Sequence, residues 1–475
     1  MDKKPSGDLP LWIRRSKKRN DQYAPLFLKT YKQNQICVFF KELPTAEDIA
    51  VVKNFLLVTA KEINGRRRID SDHVEVVKCD DCGCLAVLFI GDLFHTVING
   101  EGVVVGSVPS PPVVGEYSHN FFNDSPFEKE NGSFFNEYPL FQKPKDIDTG
   151  KEKIVVAVLD TGFDDKLIDS DYLWKSKPDD FGPDCYKDVE SGWNFSEMSS
   201  GNMGNSDFSD DNPYRHGTVV SMFIINEFLN SQNNAVEIMP LKTHKANGQG
   251  DFFGIICAIH FAMAKGAHII NASWGFYYYY RNQFAYFDNL INKTLKESGI
   301  LFITAAGNKF ADEELIAKEI YLKEYGLNIT DEQLRNLAIH HFYPADLSVY
   351  PNSVLTVTTT DGKNTSPTQN FSRRYVDLGV FADEEMKFYV PFQGKSCRDM
   401  ISGSSFATAI ATGVIGAFAQ KKLLRLENID KTQLLHTLTL VDDSELLPAV
   451  MFDVPELEFK HIKKGTCTRK TSRNN

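Results

Sequence analysis

Apolar residues follow two different rhythms along this chain, and the change falls near residue 150. In the first part, Ile36-Cys37-Val38-Phe39-Phe40 reads as a β-strand, a short apolar run suited to a pleated surface. Thr45-Ala46-Glu47-Asp48 predicts a helix start with a reciprocal cap, and amphipathic spacing carries that helix to about Ile63. Val74–Val77 and Leu85–Ile90 are further strands, Asp92–Asn99 is a short polar–apolar piece, and Val103-Val104-Val105 closes the series. The order β-α-β-β-α-β is that of a ferredoxin-like α+β module, here over residues 35–109. So small a unit has a thin core, which predicts that it docks on something larger.

Residues 110–150 shift to Pro, Asn, Ser, Gly and Phe with little periodicity, and Ser110-Pro111-Pro112 and Asn131-Gly132-Ser133 mark turns. They predict a linker. Residues 1–34 form a basic tail and residues 446–475 a C-terminal tail. From Ile154 the rhythm changes to continuous apolar strands alternating with helical patterns. Strands are predicted at Ile154–Leu159, Glu237–Leu241, His268–Ala272, Ile300–Ala305 and Val354–Thr358. Helices are predicted at Gly217–Phe228, Phe252–Lys265, Asp288–Ser298 and from Ser405 to about Ala419. Such a pattern predicts an α/β domain over residues 151–445, a parallel sheet covered on both faces. Its reactive groups belong at the carboxyl ends of the strands.

Of 475 residues, 42% are apolar and 24% charged, which excludes a largely disordered chain. A net charge of −11 argues against nucleic acid as the main partner. Arg14-Arg15-Ser16-Lys17-Lys18-Arg19 and the basic C-terminal residues read as solvated tails. No apolar run reaches the ~20 residues needed to span a bilayer, and Met1–Asn20 has charges without an apolar core, so neither a membrane span nor a secretory signal is expected. Eight scattered cysteines predict a reduced, cytoplasmic protein with unpaired thiols. Cys79, Cys82 and Cys84 cluster, but no fourth ligand stands nearby except a distant His73, so no metal site is assigned.

Four short motifs carry chemistry. Val155-Val156-Ala157-Val158-Leu159-Asp160 is a buried strand ending in a carboxylate, an expensive placement unless a partner such as imidazole bonds to it. His216-Gly217-Thr218 opens a helix that would hold the ring rigidly. Ala305-Ala306-Gly307-Asn308 is a strand, a glycine turn and an amide able to donate to an oxyanion. Gly403-Ser404-Ser405-Phe406-Ala407 puts a hydroxyl at the mouth of a small-residue helix, where unpaired N–H groups favour negative charge. Each has a plain structural explanation when taken alone: a turn aspartate, a helix-start histidine, a Gly-Asn turn, a serine-rich turn. Asp148-Thr149-Gly150 repeats the Asp160-Thr161-Gly162 triplet and is read as a turn, because two copies flanking one short strand cannot end two separate lobes.

Taken in order, these motifs resemble the subtilisin family of serine proteases (subtilases) over about Ile154–Ala419. Asp…His…Ser is the family's chain order, and the magnitude attached to an oxyanion asparagine also comes from a subtilisin. The resemblance implies an Asp160–His216–Ser405 triad, Asn308 as oxyanion donor, a peptide or protein substrate, and hydrolysis through an acyl-enzyme. It implies that Ser273, Trp274 and Gly275 line one substrate-binding edge, and Gly248 and Gly250 the opposite one. Phe406 stands where the family has methionine and Ala409 where it has proline. The chemistry needs no cofactor. A structural calcium occurs in relatives, but Phe228–Glu237 is compressed where its loop would lie, so none is assigned. The N-terminal module resembles a subtilase pro-domain and is expected to dock on the catalytic domain, with a cut between Val105 and Gly150. A charged helical insertion at residues 312–341 adjoins the predicted cleft. Two other readings stay open: a regulated signalling protease with a permanent N-terminal recognition domain, and a catalytically silent adaptor of the same fold.

Overall fold

The computed structural model describes residues 31–434 and the pair 461–462, apart from 65–72, 80–81, 97, 100–101, 104–108, 125–138, 177–184, 187–188, 200–201, 230, 232, 278–284, 310–314, 316, 320, 323–325, 350–351, 362–364, 383–386, 392–399, 420, 426–428, 430 and 432–433. The predicted basic tail, most of the C-terminal tail and the N-terminal end of the insertion thus lie outside the described residues.

The N-terminal module is built from β1 (Tyr31–Phe40), α1 (Ala46–Asn64), β2 (Glu75–Lys78), β3 (Ala86–Ile90) and β4 (Val114–Asp124). Helix α1 begins as the sequence predicts: the Thr45 N–H and hydroxyl both donate to Asp48 Oδ2, and the Asp48 N–H returns a bond to Thr45 Oγ1. The strands form an antiparallel sheet in the order β4-β1-β3-β2, the ferredoxin-like arrangement. Two elements differ from expectation. The second helix is one 3₁₀ turn, Asp92–Thr96. The closing strand of the sheet is Val114–Asp124, inside the predicted linker. Its polar residues concealed it: Ser118, His119, Asn120 and Asn123 are buried, because this strand faces protein on both sides. Asn120 Nδ2 donates to Gln35 Oε1, and Asn120 Oδ1 accepts from the Phe253 N–H, so neither amide group loses its bonds on burial.

The larger domain holds an eight-stranded parallel sheet. Its strands are β5 (Glu152–Asp160), β6 (Trp193–Asn194), β7 (Asn234–Lys242), β9 (Ile269–Ala272), β10 (Leu301–Ala305), β11 (Val354–Thr360), β12 (Leu378–Phe381) and β13 (His461–Ile462). They lie in the order β13-β12-β11-β10-β9-β5-β7-β6. The interior strands are buried almost throughout, which is why their sequences read as unbroken apolar runs. After β5 the chain lays down β6 and β7 on one side and then β9 on the other, a switch point at the carboxyl end of β5. Strand β13, within the predicted C-terminal tail, pairs with Gly379 and Val380 at the sheet edge.

Helices α2 (His216–Leu229), α3 (Phe252–Ala264) and α4 (Ser404–Phe418) cover the sheet. Helices α2 and α4 approach closely because α4 presents glycines to its neighbour. A β-carbon on Gly413 would stand 2.7 Å from the Ile224 carbonyl oxygen, and one on Gly416 would stand 2.5 Å from the Phe228 ring. Both helices therefore start at the same end of the domain, with His216 and Ser405 in their first turns.

The module and the larger domain share one apolar core that runs from Phe39 and Phe89 to Phe252 and Ile256. Strand β4 pairs antiparallel with β8 (Gln249–Asp251), Lys32 pairs with Asp251 at 2.6 Å, and Phe39 stacks on Tyr286. Two disulfides cross between them, Cys79–Cys257 and Cys82–Cys185. The expectation of unpaired thiols is therefore corrected for these four cysteines. Spacing in the chain could not reveal the pairs, whose partners are 178 and 103 residues apart. Cys37 and Cys84 remain thiols, while Cys397 and Cys467 lie outside the described residues.

Candidate active site

Asp160 ends β5 almost completely buried, at 1% exposure. A carboxylate so placed needs bonds to its charge. Its Oδ1 accepts from the Thr161 N–H at 2.8 Å and lies 2.7 Å from His216 Nδ1. Since a carboxylate only accepts, His216 carries its proton on Nδ1 and presents Nε2 as the basic nitrogen. Gly217 makes this approach possible. A β-carbon there would stand 2.5 Å from the Gly162 carbonyl oxygen and 3.1 Å from Asp160 Cβ.

The start of α2 is held by a buried carboxylate that sequence reading passed over. Asp210 Oδ2 accepts from the Thr218 N–H and hydroxyl at 3.0 and 2.7 Å, an anion seated where the helix dipole favours one. Burial raises its pKa above the usual carboxylate range. The run Ser209-Asp210-Asp211-Asn212 before a helix start was the available signal. Arg215 adopts φ 51°, a left-handed conformation unusual for a bulky side chain, at the residue that launches His216. Lys242, in register with Asp160 on β7, donates to the carbonyls of Thr161 and Ser209 and pairs with Asp211. His244, two residues on, is fully buried, and its pKa falls to about 4, so it is neutral near pH 7.

Ser405 occupies the first turn of α4. Its hydroxyl donates to the Ser273 carbonyl at 3.0 Å, and the Ser273 hydroxyl donates to the Ser405 carbonyl at the same distance. Behind them Asn271 Nδ2 donates to Ser273 Oγ, and the Thr412 hydroxyl donates to Asn271 Oδ1, tying β9 to α4. The Phe406 ring lies 5.4 Å from the His216 ring, which sets the residue after Ser405 against the imidazole.

Asn308 follows β10. Its Oδ1 accepts from both the N–H and the hydroxyl of Ser404, at 2.9 and 3.0 Å. Those two bonds fix which end of the amide is oxygen and leave Nδ2 beside Gly403 as the donor, 3.4 Å from where a β-carbon would sit. The Asn308 carbonyl accepts from the Tyr277 hydroxyl, and Asn370 Nδ2 donates to the Ala306 carbonyl. Ser404, Tyr277 and Asn370 are supports that no local pattern announced. A connected set of contacts thus joins Asp160, His216, Ser405 and Asn308.

The two predicted substrate-binding edges are in different states. Ser273, Trp274 and Gly275 run on from β9, with Trp274 buried. Gly248 lies in the turn before β8, and Gly250 pairs with Asn123 of β4, so this edge is taken by the chain's own N-terminal module. Of the insertion, Asp331–Arg335 forms a short capped helix, and Arg335 Nη1 donates to the Ser366 and Gln369 carbonyls beside Asn308.

The segment between α2 and β7 is Asn230-Ser231-Gln232-Asn233, without a carboxylate, and the Ser231 hydroxyl donates to the Ala417 carbonyl. That does not fit a calcium ion, which takes six to eight oxygens rich in carboxylates.

Residues 151–442 match the family model described as Subtilase family, well over half of the chain. No curated protein matches the chain by sequence. Among solved structures it is similar to the epidermin leader peptide processing serine protease (EpiP) of Staphylococcus aureus, at 16% identity and TM-score 0.46 over 81% of this chain and 87% of that one. It is also similar to a cold adapted subtilisin-like serine proteinase, at 20% identity and TM-score 0.40 over 71% and 100% of the two chains. A third is a serine-to-alanine mutant of the protease domain of PatA, at 18% identity and TM-score 0.37 over 60% and 86%. With the family model spanning residues 151–442, which hold seven of the eight strands of the parallel sheet and the candidate site, this chain belongs to the subtilase family of serine endopeptidases.

Proposed function

We propose that the protein hydrolyses peptide bonds through an acyl-enzyme. Ser405 is the nucleophile, His216 the general base and then acid, and Asp160 the group that orients the ring and stabilises its imidazolium. Asn308 Nδ2 and the Ser405 N–H receive the oxyanion. The observation that carries this reading is the 2.7 Å contact between His216 Nδ1 and Asp160 Oδ1 at the mouth of the helix pair that also presents Ser405. The Ser405 hydroxyl, bonded to the Ser273 carbonyl in the free protein, gives its proton to His216 Nε2 in the first step of this reading. Substrate would add strands at Ser273–Gly275 and at Gly248–Gly250.

The N-terminal module is a pro-domain-like inhibitor in this reading. Its strand β4 fills the β8 edge. Glu116 supports the placement by accepting from the Ala285 and Tyr286 N–H groups across the boundary. The two disulfides favour an oxidising compartment over the cytosol. No helix among the described residues is long and apolar enough to cross a membrane.

A serine-directed fluorophosphonate probe tests the chemistry. Wild-type protein, with its linker cut and the Cys79–Cys257 and Cys82–Cys185 bonds reduced so that the edge can open, is expected to label, and Ser405→Ala not to. Equal labelling of both would remove Ser405 as nucleophile, and labelling of neither would favour the silent-adaptor reading.

A further inference from the structure

A pro-domain held only by packing leaves once the chain is cut, but here two covalent bonds cross the same boundary. Cys79 and Cys82 belong to the module, and Cys257 and Cys185 to the catalytic domain. We propose that the module is a covalently retained inhibitor, freed only when the linker is cut and both disulfides are reduced by a dithiol. The proposal rests on the inhibitory reading of the module given above.

Four observations carry it. Both cysteine pairs join the two units, and among the described residues no disulfide lies within either one. The Cys79–Cys257 bond is shielded, with Cys79 and Cys257 both buried. Cys84 Sγ lies 2.9 Å from Cys79 Sγ, a thiol placed to exchange into that bond. Burial raises its pKa to about 12, which keeps it protonated and the tether in place at neutral pH. Finally, β4 fills the β8 edge. A tethered strand faces that edge at an effective concentration on the order of millimolar, so it rebinds faster than a dilute substrate displaces it.

The release step balances. Each disulfide accepts two electrons and two protons from one dithiol, which leaves as its cyclic disulfide, and two protein thiols result per bond. Peptide hydrolysis at the linker consumes one water.

The tether is tested without relying on catalysis. A site-specific protease sequence is inserted between Asp124 and Pro139 in the Ser405→Ala chain, which is cut and run under denaturing conditions. Without reductant one species is expected, and with dithiothreitol two. Separation without reductant overturns the proposal. Cys79→Ser/Cys82→Ser is expected to separate without reductant, and Cys257→Ser/Cys185→Ser gives the same result from the other side if the first variant folds poorly.

The same insertion with Ser405 intact reads release. Hydrolysis of a short peptide by the cut enzyme is expected to rise at least ~10-fold on adding dithiothreitol and diluting, since the effective concentration is then lost. No rise in an enzyme already active before reduction overturns the redox release. If the nucleophile assignment is wrong, neither form hydrolyses peptide while the gel result stands, so the two failures are distinct.

Discussion

Asn308 has its amide oxygen committed twice to Ser404, so its Nδ2 is the end left to meet developing charge. A donor fixed before the reaction stabilises an oxyanion without reorganising, an effect of about 3–4 kcal/mol. Asn308→Ala is therefore expected to lower kcat by ~10²–10³ with little change in KM, and steady-state kinetics on a short peptide measures the split. Ser404→Ala removes one of the two bonds that hold the amide. A smaller fall in kcat, roughly tenfold, with recovery in Ser404→Thr, would identify Ser404 as a positioning residue. An unchanged kcat in Asn308→Ala would exclude the oxyanion role. At this scale the sequence offered the reactive groups but not their supports. Ser404 looked like one more serine in a turn, and Asn370 and Tyr277 are ordinary residues far along the chain.

Helices α2 and α4 decide whether His216 and Ser405 meet. Their spacing depends on Gly413, where an added β-carbon meets the Ile224 carbonyl oxygen at 2.7 Å, against backbone that cannot swing aside. Gly413→Ala is expected to force the helices apart and cost ~1–3 kcal/mol. Thermal unfolding reads the stability, and kcat reads the separation of the proposed base and nucleophile. An unchanged unfolding midpoint together with unchanged kcat would show that the pair tolerates the shift. Elements of this kind were legible wherever one rhythm ran long enough. The buried parallel strands announced themselves as apolar runs, and Thr45–Asp48 announced the start of α1. Strand β4 did not, because it lies between two protein surfaces and buries amides, a histidine and a serine that a period-two reading counts as exposed.

Over the whole molecule, three buried histidines make stability depend on pH. Burial lowers the pKa of His244 and His260 to about 4 and that of His340 to about 3. Between those values and ~6.5 the unfolded chain binds protons that the folded one refuses. Stability is therefore full above about pH 6.5 and falls as pH drops toward 4. His260→Gln, which keeps a partner for the Tyr286 hydroxyl, is expected to flatten that fall. Unfolding midpoints at pH 7, 5.5 and 4.5 measure it, and parallel curves for the two proteins would exclude the His260 contribution.

By itself the sequence determined the class of the larger domain, the order of its five inner strands and main helices along the chain, and the four motifs proposed to carry the reactive groups. Those properties reside in local periodicity and short-range residue choice, which a linear reading preserves. Only tertiary structure decided that Cys79 meets Cys257, that β4 completes one sheet and borders another, and that Ser404 holds Asn308. Each is a contact between residues far apart in the chain, and closing so long a loop depends on packing surfaces that no neighbouring residues encode.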